Sequence, residues 1–442
     1  MASQQRLDFH VQPGSALTGN LSVPGDKSIS HRALMLGAIA EGQTLVDGFL
    51  DSEDIRATMK ALRMMGVEIE LLGDSRLCIQ GAGLHGLQTA GKPLDLGNSG
   101  TSVRLFAGLL SGQSFGSELR GDSSLMKRPM QRIVEPLALM GADIKCSEAG
   151  TLPIHIGVNP GLKAITYDMP VASAQLKSAL LFAGLYATGK TCVHEPALTR
   201  DHSERMLRQF GCDVKTEGKQ ICLNSACLQG QEIVVPGDIS SAAFFLVAAS
   251  IVPGSDIVLE NVGINPTRHA IIEILQLMGA KIELIEQSGG EGEPVANIRV
   301  RYSKLKAINI PQRLVAIAID EMPVLMVAAA CASGETQLSG AEELRVKESD
   351  RIQATCAGLS SLGIEVRELP DGMLVTGGKF KAGVVNSYTD HRIAMAFSVA
   401  ALVAEGPVTI QDCENVNTSF PGFENCFSEL GQSLQRVSAE DG

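Results

Sequence analysis

Two hydrophobic patterns alternate along the chain. In the first, charged residues nearly vanish: ALMLGAIA (33–40), FAGLL (106–110), SALLFAGL (178–185), SAAFFLVAASIV (241–252), PVLMVAAACA (323–332) and AMAFSVAALVA (394–404) are runs of small and apolar residues. Such runs predict helices packed closely on sheets, and each is followed by a Gly and a strand, as in AIAEGQTLVDG, LYATGKTCVHEP and ACASGETQLSG. The second pattern is a helix end, a Gly and a short alternating strand. It recurs six times: LRMMGVEIE (62–70), LALMGADIK (137–145), LRQFGCDVK (207–215), LQLMGAKIE (275–283), LSSLGIEVR (359–367) and, degraded, FSELGQSLQ (427–435). The Gly in each suits a left-handed position just past a helix. A period of about 70 to 85 residues is too long for a solenoid, so each unit holds two helices and several strands.

At 442 residues the chain is too long for one ordinary domain, and six α/β units in two domains give three apiece. VPGD occurs at Val23–Asp26 and again at Val235–Asp238, each time before a helix opening with serines. These stretches predict crossovers near 22–26 and 235–239. Residues 25–236 then form one domain, and 1–24 with 237–442 the other.

Composition narrows the choice of partner. The formal net charge is −12 with no dense basic run, which argues against nucleic acid and anionic membrane. The opening MASQQRLDFHVQPG lacks the basic start and apolar centre of a signal peptide, and no apolar run is long enough to span a membrane. A soluble cytoplasmic protein is expected. Ten cysteines are scattered without a CxxC pair, and Cys222 and Cys227 have no His at metal spacing, so buried free thiols are expected rather than zinc or disulfides.

Against an acidic background the cations stand out, and they gather at helix starts. KSISHR places Lys27, Ser28, His31 and Arg32 after the turn Pro24–Asp26. LGNSGTSVR supplies Asn98, Ser99, Gly100, Thr101 and Arg104; MKRPM puts Lys127 and Arg128 before Pro129, at an expected first helical turn. ASAQLKSA opens with Ser173 and Gln175, and TRDHSER carries Arg200. Further on come Asp320 and Glu321 in IDEMP, then Arg345, Lys347, Glu348 and Arg351 in EELRVKESDR, then Asp390, His391 and Arg392 in TDHRIAM. Taken singly, each is also what an ordinary cap or solvated turn looks like. Taken together they occupy equivalent places in the repeats, where unpaired backbone N–H groups and the helix dipole favour an anion. Two domains with facing helix starts would build a cleft for a multiply charged ligand pair, and Asp320 and Glu348 would add groups able to move protons.

KSISHR, LGNSGT with SVR, MKRPM, ASAQLKSA, IDEMP, RVKESDR and TDHRIAM resemble, in order and over about residues 20 to 425, the signature stretches of the 5-enolpyruvylshikimate-3-phosphate synthase family, in particular its bacterial class II branch. The resemblance implies a two-domain α/β enolpyruvyl transferase fold, three βαβαββ repeats per domain with helices packed inside sheets, closing on substrate. It implies transfer of the enolpyruvyl group of phosphoenolpyruvate to the 5-hydroxyl of shikimate 3-phosphate, by addition and elimination, without metal or organic cofactor and usually as a monomer.

Carried over residue by residue, shikimate 3-phosphate would be held by Ser28, Arg32, Ser173, Gln175, Arg200, Asp320 and Lys347, and phosphoenolpyruvate by Lys27, Gly100, Arg128, Gln175, Arg351 and Arg392. Asn98, Thr101 and Ala174 complete the substrate-binding set. Asp320 is the implied proton acceptor, with Glu348 and Lys27 as its proton-handling partners. Two positions depart from the class I pattern: Thr418 in NTSFPGF stands where a Lys is expected, and Glu343 where an Asn is. Class II members that tolerate glyphosate carry Ala at the place of Gly100, so the Gly implies inhibition by glyphosate. A UDP-sugar enolpyruvyl transferase shares the fold, but its opening motif and loop cysteine are missing here. A non-catalytic phospho-ligand binder would not need Asp320 and Glu348, and no GxxxxGK[ST] nucleotide loop occurs.

Overall fold

The computed structural model describes residues 6–158, 161–289 and 292–439. The chain divides into two compact units. The first is built from Gly25–Val235 with Gly292 and Glu293, and the second from the described residues up to Pro24, Pro236–Gly289 and Pro294 onward.

The first unit holds helices α1 (Lys27–Ile39), α2 (Glu53–Met64), α3 (Gly100–Leu110), α4 (Gln131–Leu139), α5 (Ala174–Gly184) and α6 (His202–Gln209). The second holds α7 (Ile239–Ile251), α8 (Ala270–Leu277), the single turn α9 (Gln312–Val315), α10 (Met322–Ala330), α11 (Arg351–Ser361), α12 (His391–Ala401) and α13 (Phe423–Glu429). The charge-poor runs are the inner helices α1, α3, α5, α7, α10 and α12. Every residue of α7 and α10 is buried, which is why their sequences show no polar face. Short side chains let α7, α10 and α12 pack directly on one another, as α3 does on α5.

Local chemistry starts and stops these helices. Asp26, Ser99, Ser173, Asp238 and Asp390 each accept a hydrogen bond from a first-turn N–H of an inner helix; α10 instead has Pro323 in its first turn. The outer helices end alike in all six repeats. Gly66, Gly141, Gly211, Gly279, Gly363 and Gly431 have φ of +88, +94, +93, +93, +81 and +73°. The residue after each donates its N–H to a carbonyl in the last turn: Val67 to Leu62, Ala142 to Leu137, Cys212 to Leu207, Ala280 to Leu275, Ile364 to Leu359 and Gln432 to Phe427. This is the Schellman termination, and it turns the chain back along the helix.

The sheets repeat as well. In the first unit their strand orders are 232–234/41–47/76–82/68–71, 94–95/117–120/154–156/144–145 and 166–168/190–194/220–224/215–217. The first pair of each is parallel and the rest antiparallel. The second unit has 18–22/256–263/295–301/281–288, the three-stranded 335–338/372–376/366–369, and 383–386/408–411/6–11/434–439. Strand 6–11 therefore lies between 408–411 and 434–439 in the last sheet, and 18–22 forms an edge of another. Each unit has its own core. In the second, Phe245 meets Phe420, Phe423 and Phe427 at ring-centroid separations of 6.2, 6.0 and 6.0 Å, forming an aromatic cluster within the core.

Two expectations are corrected. Cys192 and Cys222 are joined as a disulfide, because strands 190–194 and 220–224 pair antiparallel with these residues directly opposed and their Cα atoms 4.2 Å apart. Local CxxC spacing cannot show a pairing that strand register creates. The other eight cysteines are free. Pro129 does not open a helix either: Leu125–Lys127 is a 3-10 turn, Arg128 is extended, and α4 begins only at Gln131. The Pro129 carbonyl accepts from Arg104 instead of opening the helix ladder, whose first bond runs from the Val134 N–H to the Met130 carbonyl.

Candidate functional site

In the first unit the starts of α1, α3 and α5 carry two groups of polar side chains. Arg32, 3 % exposed, is gripped from three sides: Nε donates to Ser203 Oγ at 2.8 Å, Nη2 to Ser178 Oγ at 2.8 Å and Nη1 to the Ser28 carbonyl at 2.9 Å. Burial lowers its pKa to about 10, Glu204 and Asp26 work against that, and the charge of Arg200 adds to the lowering. It stays cationic at neutral pH, with Arg200 close enough to be felt. Lys27, the first residue of α1, pairs with Asp54 of α2 at 3.0 Å.

The second group surrounds Gly100. Arg104, from the next turn of α3, donates to Gln175 Oε1 at 2.8 Å, and Gln175 donates to Thr101 Oγ1 at 3.1 Å. Arg128 donates to Asn98 Oδ1 at 2.8 Å. A β-carbon placed on Gly100 would sit 2.8 Å from Arg104 Nη1 and 3.0 Å from Arg128 Nη1, so only a glycine lets both guanidinium tips come this near the helix start. Ser173 caps α5, on which Ala174 is the first residue. Beneath these groups His31 is completely buried, 2.9 Å from Thr58 Oγ1, 3.2 Å from Ser102 Oγ and 3.3 Å from Ser99 Oγ. Burial, then Lys27 and Arg32, hold its pKa well below the usual imidazole range. A neutral ring thus ties α1, α2 and α3 together by hydrogen bonds.

In the second unit the hub is Arg351, the first residue of α11 and 1 % exposed. Its guanidinium lies 2.8 Å from Asp390, 2.6 Å from Glu348 and 3.4 Å from Asp320. Burial opposes its charge, but Asp390, Glu348 and Asp320 outweigh that and raise its pKa; reciprocally, Arg351 overcomes burial and holds Asp390 below the usual carboxylate range. Asp320 also lies 3.5 Å from Lys347. Arg392, in the first turn of α12, donates to the Asp320 carbonyl at 3.0 Å and to Glu321 at 3.4 Å. Glu321 in turn accepts from the Ser240 hydroxyl, and Arg268 bonds Ser240 at 2.7 Å and Asp238 at 3.1 Å.

The residues of the implied ligand set divide between the two units, and Arg345, also singled out, pairs instead with Asp350 and Glu368. Ser28, Arg32, Ser173, Gln175, Arg200, Lys27, Asn98, Gly100, Thr101, Ala174 and Arg128 belong to the first unit, and Asp320, Lys347, Glu348, Arg351 and Arg392 to the second. Of the two positions that depart from class I, Glu343 lies 4.0 Å from Lys347 and is half exposed, while the Thr418 hydroxyl bonds the Asn415 carbonyl within its own turn. Sequence reasoning missed the supporting groups: Asp54, Lys177, Ser178, Glu195, Ser203, Glu204, Ser240 and Arg268. One signal was present, a single charge, Lys177, inside an otherwise uncharged apolar helix. Among the described residues no group of acidic, His and Cys side chains could hold a metal ion, and no helix is long and apolar enough to cross a membrane.

The arrangement suits ligands carrying several negative charges, with carboxylates pinned among the cations at defined distances. The solved EPSP synthase of Acinetobacter baumannii is 51 % identical and superposes with a TM-score of 0.89, covering 98 % of this chain and all of that one. The enolpyruvyl transferase NikO of Streptomyces tendae has a TM-score of 0.80 at 15 % identity, which shows a shared fold. Curated relatives named 3-phosphoshikimate 1-carboxyvinyltransferase come from Methylococcus capsulatus, 58 % identical over 97 % of this chain and 98 % of that one, and Alkalilimnicola ehrlichii, 57 % identical over 98 % of both. With residues 11–427 also matching the pattern of EPSP synthase (3-phosphoshikimate 1-carboxyvinyltransferase), the chain belongs to that family.

Proposed function

We infer that the protein transfers the carboxyvinyl group of phosphoenolpyruvate to the 5-hydroxyl of shikimate 3-phosphate, releasing inorganic phosphate. Shikimate 3-phosphate is held by Ser28, Arg32, Ser173, Gln175, Arg200, Asp320 and Lys347, and phosphoenolpyruvate by Lys27, Gly100, Arg128, Gln175, Arg351 and Arg392, with Asn98, Thr101 and Ala174 beside them. The 5-hydroxyl attacks the middle carbon of the enol, its proton passing to Asp320, while the methylene carbon gains a proton handled by Glu348 and Lys27. The tetrahedral intermediate then expels phosphate, re-forming the double bond as a methyl proton leaves. Fixed guanidinium and ammonium groups stabilise the departing phosphate without having to reorganise.

One observation carries this reading beyond simple anion binding: Asp320 lies 3.4 Å from Arg351 and 3.5 Å from Lys347, and Glu348 is 2.6 Å from the same guanidinium. Carboxylates held at these distances from the cations can take up and return protons beside a bound substrate, which transfer chemistry requires. Asp320→Ala and Lys27→Met are each expected to lower kcat by roughly a hundredfold or more in a phosphate-release assay with both substrates. Full turnover in both variants would remove the assigned roles, and ligand binding without phosphate release by the unaltered protein would favour a binder. The same reading makes the protein a cytoplasmic monomer inhibited by glyphosate in competition with phosphoenolpyruvate.

A further inference from the structure

Helix α5 carries a single charge, and that charge is fully enclosed. The side chain of Lys177 is 1 % exposed; its Nζ lies 2.9 Å from Glu195 and 2.6 Å from Glu204, themselves 2 % and 3 % exposed. Burial raises the pKa of Glu204, with Lys177 opposing, and one Glu204 oxygen has no hydrogen-bond partner among the described residues. Three buried ionisable groups are a poor way to gain stability, since neutral side chains of similar volume do as well or better. Their placement gives them another use.

Neighbours of the triad touch or directly precede cations of the shikimate 3-phosphate set. Ser178 follows Lys177 and Ser203 precedes Glu204; the two hydroxyls are 2.7 Å apart, and each accepts from Arg32 at 2.8 Å. The ion pair between α5 and α6 therefore joins the residues next in sequence to the hydroxyl pair that holds Arg32. On the other arm, Glu195 accepts from the Thr199 N–H at 3.5 Å and from the Thr199 hydroxyl, closing the loop that delivers Arg200 one residue later. The charge of Glu204 also supports that of Arg32 against Arg200. We propose that Lys177 is a positioning residue: through Glu195 and Glu204 it sets the places of Arg200 and Arg32, and so the affinity for shikimate 3-phosphate. The inference rests on the ligand assignment of the proposed function.

The test replaces the whole triad, Lys177→Met with Glu195→Gln and Glu204→Gln, so that no buried charge is stranded, beside the single variants Glu195→Gln and Lys177→Arg. Melting temperature, kcat and the KM for each substrate are measured. The triple variant is expected to raise the KM for shikimate 3-phosphate about tenfold or more while that for phosphoenolpyruvate stays within about threefold, with Glu195→Gln intermediate and Lys177→Arg near the unaltered protein. A purely structural triad would lower the melting temperature and the active fraction without separating the two KM values. A KM for shikimate 3-phosphate within twofold in the triple variant overturns the proposal; should that variant not fold, an unchanged KM in Glu195→Gln overturns it as well. Arg200→Ala and Arg32→Ala separate the two levels. If both leave that KM unchanged the ligand assignment itself is wrong; if they raise it and the triad variants do not, only the positioning role falls.

Discussion

Gly100 shows how much one missing methyl group can decide. The ends of Arg104 and Arg128 stand 2.8 and 3.0 Å from where a β-carbon would be, and both are tips of flexible side chains. Gly100→Ala should therefore fold normally while displacing Arg128 by a few tenths of an ångström. Small displacements of a positioning group weaken binding steeply. The expected result is an inhibition constant for glyphosate raised about tenfold or more, a KM for phosphoenolpyruvate raised less, and an unchanged KM for shikimate 3-phosphate. Steady-state inhibition kinetics would check this, and an unmoved glyphosate constant would refute the idea. The cations near this position, like the carboxylates of the second unit, were readable in the sequence because they repeat at helix starts. The lone charge of Lys177 stands out in its helix, but its partners were not readable, since Glu195 and Glu204 lie 18 and 27 residues away and only the fold brings them to it.

The six-fold Schellman ending is the signature of the helix-to-strand element, and it can be isolated from packing. Gly211 and Gly431 have φ of +93 and +73°, and a methyl group added at either would meet no atom within 4 Å. Any cost of Gly211→Ala or Gly431→Ala is then purely conformational, about 1–2 kcal/mol for an L-residue in the left-handed region. Asn tolerates that region better, so Gly→Asn should cost less than Gly→Ala at both sites. Urea midpoints would show the order, and alanine variants as stable as the parent would contradict it. These glycines and the charge-poor inner helices were legible because backbone conformation and burial act on local sequence. The start of α4 departs from the sequence pattern because the Pro129 carbonyl is taken by Arg104, a long-range contact that no local pattern records. The Cys192–Cys222 pair escaped because register between strands is a property of two segments, not one.

At the scale of the molecule, the second unit is assembled from distant parts of the chain. Strand 6–11 supplies a central strand of its last sheet, with Phe9 and Val11 buried in the core beside Phe423. Deleting residues 1–22 should therefore loosen this unit far more than the first. Hydrogen exchange is expected to accelerate by about a hundredfold or more in α7, α10 and α12, and much less in α1, α3 and α5. Equal acceleration in all six helices would argue against two separate cores. The repeat count and the six helix–Gly–strand joints could be read from the sequence. That strand 6–11 is flanked by 408–411 and 434–439 could not, because no local pattern records which edges meet.

The place of that strand has a consequence for how the protein is made. Everything needed by Gly25–Val235 apart from a short later piece has left the ribosome when Val235 emerges, whereas strand 6–11 must wait for residues 434–439, roughly two hundred positions later. At ordinary rates of translation that is on the order of ten to forty seconds. For most of that interval the earliest-made strand has neither of its flanking partners, so this is the stretch of the nascent chain that a holding chaperone would protect.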